Sequence, residues 1–67
     1  MNTIFHAFYN GDCYEVTVRD FNLVKIVKHT SGSGLMREVE FDHLHANIQE
    51  AIIEAFSEQI MHNKDQS

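Results

Sequence analysis

Proline and tryptophan are absent from these 67 residues, cysteine occurs once and glycine three times. A lone Cys13 excludes an internal disulfide, so the fold must rest on packing, a usage that suits a reducing compartment. No apolar run approaches the roughly 18 residues a membrane helix needs. The opening Met1-Asn2-Thr3-Ile4-Phe5-His6 carries no basic stretch ahead of a small-residue cleavage site. These absences predict a soluble, cytoplasmic chain without membrane contact. Cations are scarce too, five against ten acidic side chains for a net charge of −5.

What is present bounds the architecture. A domain near 60 residues buries only about 60% of its unfolded surface, which leaves no room for a large cleft or a cofactor domain within this stretch. The apolar fraction of 43% and charged fraction of 22% sit near globular averages and exclude an intrinsically disordered segment. The charge is segregated. Up to Arg37 the chain is nearly balanced, whereas Glu38, Glu40, Asp42, Glu50, Glu54, Glu58 and Asp65 face Lys64 alone in the remainder. Such a half repels phosphate backbones, so direct nucleic-acid binding is not expected and a protein partner with a basic surface is.

Patterning changes once along the chain. Phe5, Ala7 and Tyr9, then Tyr14, Val16 and Val18, alternate with other residues on either side of Asn10-Gly11. That dipeptide between two period-two runs is a hairpin signal, because a type I′ turn needs positive φ at both central residues. A two-residue turn sets Tyr9 opposite Asp12, Ala7 opposite Tyr14 and Phe5 opposite Val16, which lands both apolar sets on one face. A reversal near Asp20-Phe21-Asn22 leads to a third strand, Leu23 to His29. Thr30-Ser31-Gly32-Ser33-Gly34 reads as a loop, and Leu35, Arg37, Val39 and Phe41 alternate as a fourth strand.

From Asp42 the period becomes helical. Asp42 is the expected N-cap, and Phe41, Leu44, Ile48, Ile52, Ala55 and Phe56 recur at three- and four-residue steps toward an end near Met61 or His62. The expected fold is α+β, an antiparallel meander of three to four strands and one long C-terminal amphipathic helix on one sheet face (ββββα). Residues 1–62 form a single domain and 63–67 a frayed polar tail. Such a helix spans about 30 Å against about 20 Å for six-residue strands, so its last turns should overhang the sheet.

Two surfaces invite partners. Ile53 and Ile60 lie about 100° from the centre of the apolar stripe, and Ile60 and Met61 fall in the expected overhang. The first strand carries no lysine, proline or other device that guards an open edge. Either it is an internal strand or it pairs with a second chain, and a homodimer through Ile4, Phe8, Ile53, Ile60 and Met61 is expected. The second surface is the row Glu50, Glu54, Glu58. At i, i+4 and i+8 the three carboxylates share one face about 6 Å apart with no interleaved cation. With Glu38, Glu40 and Asp42 they make the expected partner-binding surface, able to imitate a phosphate track in a nucleic-acid-binding complex.

Other chemistry fares less well. His6, Cys13 and Glu15 can meet on the second hairpin face, which gives an alternative metal- or thiol-dependent regulatory reading. His29 has no visible partner at ligand spacing, and no zinc, EF-hand or catalytic motif is present. Arg19, Lys25, Lys28 and Arg37 with Phe8, Tyr14 and Phe21 are too few and too mixed with acids for a nucleic-acid footprint. The sequence thus predicts a small acidic protein-binding or inhibitory module with no enzymatic activity, no catalytic residues, no metal and no cofactor. In size and acidity it resembles small phage- or prophage-encoded inhibitors of host nucleic-acid machinery, anti-CRISPR proteins among them, a likeness of composition carried by no motif.

Overall fold

The computed structural model describes the backbone of residues 2–65 and the side chains of residues 2–61. Four strands, β1 (Asn2–Tyr9), β2 (Asp12–Arg19), β3 (Asn22–His29) and β4 (Met36–Val39), form one antiparallel sheet in the order β1-β2-β3-β4. A 3-10 turn, Phe41–His43, leads to helix α1, Ala46–Asp65. The meander and its C-terminal helix are the architecture that the sequence pattern predicts.

Local chemistry explains both tight turns. Asn10 (φ 52°) and Gly11 (φ 83°) supply the two positive φ values of a type I′ turn, and the hairpin pairs as expected, Tyr9 with Asp12, Ala7 with Tyr14 and Phe5 with Val16. Asp20 (φ 51°) and Phe21 (φ 67°) repeat the device between β2 and β3 without a glycine, so Phe21 sits in a left-handed conformation that bulky residues rarely adopt. The residue is 76% exposed, and its ring meets Phe56 edge-on with centroids 6.3 Å apart.

Between β2 and β3 the register slips. Thr17 opposes Lys25 and Val18 opposes Leu23, so Val24 is an extra residue on β3. The bulge brings Leu23 to the face of Ile26, one residue out of a strict alternation.

The core is one layer deep. Phe5, Ala7, Tyr14, Val16, Val18 and Ile26 from the sheet are buried with Ile52 from the helix, and Ile48, Ala55 and Phe56 pack around them. Phe5 and Phe56 stack at 5.7 Å. The helix docks most extensively on β1 and runs antiparallel to it. Asn47 Nδ2 donates to the Tyr9 hydroxyl (3.2 Å) at one end, and Gln59 and Ile60 lie against Thr3 at the other.

Three expectations are corrected. Asp42 is not the helix N-cap but belongs to the 3-10 turn, and α1 opens three residues later, where the His45 carbonyl accepts the Ile48 and Gln49 amides. The fourth strand is Met36–Val39 only, because the chain leaves the sheet at Glu40. The helix continues to Asp65, past the expected end at 62. Within the expected tail, Gln66 and Ser67 lie outside the described residues.

Ile52 is the fully helical member of a core of seven buried apolar residues, and an Ile→Ala truncation there costs about 2 to 5 kcal/mol. A chain of this size has about 3 to 10 kcal/mol of stability in total. Ile52→Ala is therefore expected to lose half or more of its stability, read as a fall in the urea midpoint at unchanged slope, whereas Ile53→Ala, one residue on and exposed, shifts it by less than about 0.5 kcal/mol.

Candidate protein-interaction surfaces

Strand alternation divides the sheet into a covered and an open face. On the open face three rows run across the strands: Ile4, Thr17, Lys25; His6, Glu15, Val27, Glu38; and Phe8, Cys13, His29, Met36. No element of the described chain packs over them. Ile4 is 55% exposed, Phe8 71% and Met36 68%. These are large apolar side chains with no cover.

The alternative chemical site maps onto this face. His6 and Glu15 are directly opposed across β1 and β2, while Cys13 opposes Phe8 and stands diagonal to His6. The residue that sequence reasoning missed is His29. It is the cross-strand neighbour of Cys13, and its Nε2 lies 3.2 Å from Glu15 Oε1. Its signal was the register of β3, which depends on the bulge at Val24. Among the described residues no three histidine, cysteine or acidic side chains converge on a point where an ion would sit.

The dimer residues expected from sequence do not form one patch. Ile4 and Phe8 lie on the open face of β1, and β1 is a sheet edge. Ile53 and Ile60 share a helix stripe with Gln49 and Phe56, and Gln49 Nε2 donates to the Phe41 carbonyl at 2.8 Å. That stripe faces the β3–β4 side of the covered face. Ile60 is not in an overhang but lines a groove with Phe21, Val18 and Thr3 at the end of the sheet. Met61 is nine residues from Ile52, half a turn around the helix, and points away from the sheet.

The acidic residues also divide. Glu50, Glu54 and Glu58 are all exposed on α1, on the side turned from the core. Glu58 lines a groove with Ile4, Phe5 and His6 at the β1 edge. Glu38, Glu40 and Asp42 border a different groove beside Leu23, Val24, Val39 and Phe41. The close contacts between basic or histidine and acidic side chains among the described residues are Lys28 with Asp12 (3.7 Å), His29 with Glu15 (3.2 Å) and His43 with Glu40 (3.7 Å). None involves a helix glutamate. Asp12 also accepts the Ser31 amide (3.0 Å), so this carboxylate ties the first turn to the glycine-rich loop.

The basic residues are scattered. Arg19 and Lys25 belong to the open face, whereas Lys28 and Arg37 are cross-strand partners on the covered one. No helix of the described chain is long and apolar enough to cross a membrane. Comparison with protein-family models, curated proteins and solved structures finds no match for this chain.

With no convergent donor set, zinc at equimolar concentration is expected to leave the thermal midpoint of the protein within about 1 °C, and the Cys13→Ala variant is expected to melt identically with and without the metal. A zinc-dependent rise of several degrees that vanishes in Cys13→Ala would show that the open-face rows gather around an ion.

Proposed function

We propose that this chain is a non-enzymatic binding module that docks the outer face of α1 on a basic surface of a macromolecular partner, in the manner of an inhibitor that imitates a phosphate track. The observation that carries this reading is the row Glu50, Glu54 and Glu58, exposed along α1 and without a cation partner among the described residues. The carboxylates repeat about every 6 Å along a rigid axis. A flexible tail could carry the same charge, but only a folded element holds it at fixed spacing, which is what a groove lined by lysine and arginine reads.

Stability offers no reason for the row. Like charges at i, i+4 destabilise a helix by a few tenths of a kcal/mol per pair, where a glutamate-to-lysine pair would have helped. In size and acidity the chain is similar to phage- and prophage-type inhibitors, the anti-CRISPR proteins included, and that likeness of composition favours a nucleic-acid-binding complex as the partner.

The test is affinity capture from the native cell extract with the wild type and the Glu50→Lys, Glu54→Lys, Glu58→Lys triple variant in parallel. The wild type is expected to retain a basic protein that elutes as ionic strength rises, because exposed charge pairs are screened over about 8 to 10 Å near physiological salt. The variant, folded by circular dichroism, is expected to retain at least tenfold less. Equal retention by both would overturn the helix-face mechanism.

A further inference from the structure

The geometry points to a second copy of this chain as the occupant of the β1 edge, paired antiparallel about a two-fold axis at His6 to give one continuous eight-stranded sheet. In a meander with strand order β1-β2-β3-β4 the first strand has a neighbour on one side only. All eight of its residues, Asn2–Tyr9, are in regular register with β2, with no bulge. The other open edge is blunted, since β4 has four residues and carries Arg37 and Glu38. Edges that must stay unpaired are usually short, charged, bulged or covered. β1 is long, regular and free of Asp, Glu, Lys and Arg.

The turn fixes which backbone groups face outward. A type I′ turn at Asn10-Gly11 makes Tyr9 and Asp12 the hydrogen-bonded pair that closes the hairpin. Alternation then directs the amides and carbonyls of Thr3, Phe5, Ala7 and Tyr9 toward β2 and those of Asn2, Ile4, His6 and Phe8 away from it. Within the outward set, the two apolar residues Ile4 and Phe8 are placed symmetrically around His6.

That symmetry selects the register. With His6 opposite the second copy's His6, Ile4 falls opposite the second copy's Phe8, and the reverse. Both are among the exposed apolar side chains on the open face, and each would cover the other as a cross-strand pair. About six backbone hydrogen bonds form. A shift that opposes Ile4 to His6 leaves Phe8 beside Asn2, and one that opposes Ile4 to Ile4 leaves Phe8 uncovered.

Charge argues for self-association at this edge rather than elsewhere. Two copies each carrying −5 repel through most of their surfaces, and an isologous contact juxtaposes every group with its own neighbourhood. The β1 edge is where two acidic chains meet with the least like charge. The helix flank above it presents Ala55, Glu58 and Gln59 beside Ile4, Phe5 and His6. Antiparallel pairing sets the two Glu58 carboxylates at opposite ends of the interface.

Sedimentation equilibrium of the wild type from about 10 to 100 µM is the first measurement, with a dimer expected. His6→Lys places two ammonium groups against each other at the two-fold axis and is expected to weaken association at least tenfold without changing the circular dichroism, while Ile53→Lys leaves it unchanged. In a Cys13→Ser background, His6→Cys is expected to oxidise to a covalent dimer, because the Cα separation of about 5.5 Å in a hydrogen-bonded pair lies within disulfide range. Ile53→Cys in that background is expected not to. A wild type that remains monomeric at 100 µM would overturn the proposal. So would a dimer that survives His6→Lys, or one cross-linked as readily through Ile53→Cys as through His6→Cys.

Discussion

One helix about 10 Å wide cannot cover four strands spaced about 4.8 Å apart, let alone both faces of their sheet. The rest of this structure follows from that mismatch. α1 is seated over β1 and β2, and Phe5, Ala7, Tyr14, Val16 and Val18 close beneath Ile52 and Phe56. Beyond the width of the helix the covered face opens again, so that Leu23 and Val24 remain about half exposed and border a groove with Val39 and Phe41. On the opposite face nothing covers Ile4, Phe8 or Met36. Ten large apolar side chains stay exposed among the described residues against seven apolar residues buried.

How much of this was legible in the sequence depends on whether a local rule or a tertiary contact decided the outcome. The first hairpin was fully legible, because Asn10-Gly11 fixes the turn and the alternation of Phe5, Ala7, Tyr14 and Val16 fixes the register. The second turn was legible in position only. Asp20 and Phe21 are not a standard type I′ pair, and the ring of Phe21 meets Phe56, which lies 35 positions away in the chain.

The fourth strand and the helix start were misread for one reason. Period two runs through Leu35, Arg37, Val39 and Phe41, yet the chain must leave the sheet at Glu40 to cross toward the helix layer, and Phe41 turns inward from the 3-10 segment instead of from a strand. Periodicity reports which side chains are apolar, not which backbone carries them. The same limit hid His29. Its pairing with Glu15 follows from the bulge at Val24, and no period-two count contains an extra residue. The residues expected to share a surface are therefore dispersed over several patches. Ile4 and Phe8 belong with the β1 edge, Ile53 and Ile60 with the far flank of the helix, and a linear sequence carries no signal for which flank that is.

The acidic row and the fold are energetically separable, and magnitudes show why. Burying Ile52 and largely burying Ile48 and Phe56 stabilises α1 by about 1.5 to 3 kcal/mol per side chain. Repulsion along Glu50, Glu54 and Glu58 costs a few tenths of a kcal/mol per neighbouring pair. The helix therefore forms in spite of its outer face, and nothing in the core constrains what that face carries. The sheet does not neutralise it either, since Lys28 and His29 have their acidic neighbours, Asp12 and Glu15, within the sheet itself. The fold therefore neither needs nor compensates the row. Strand β1 has the opposite character, for its eight residues carry no Asp, Glu, Lys or Arg and the acidic group beside them is Glu58 of the helix. Charge is thus concentrated on the helix, while β1 itself carries no Asp, Glu, Lys or Arg.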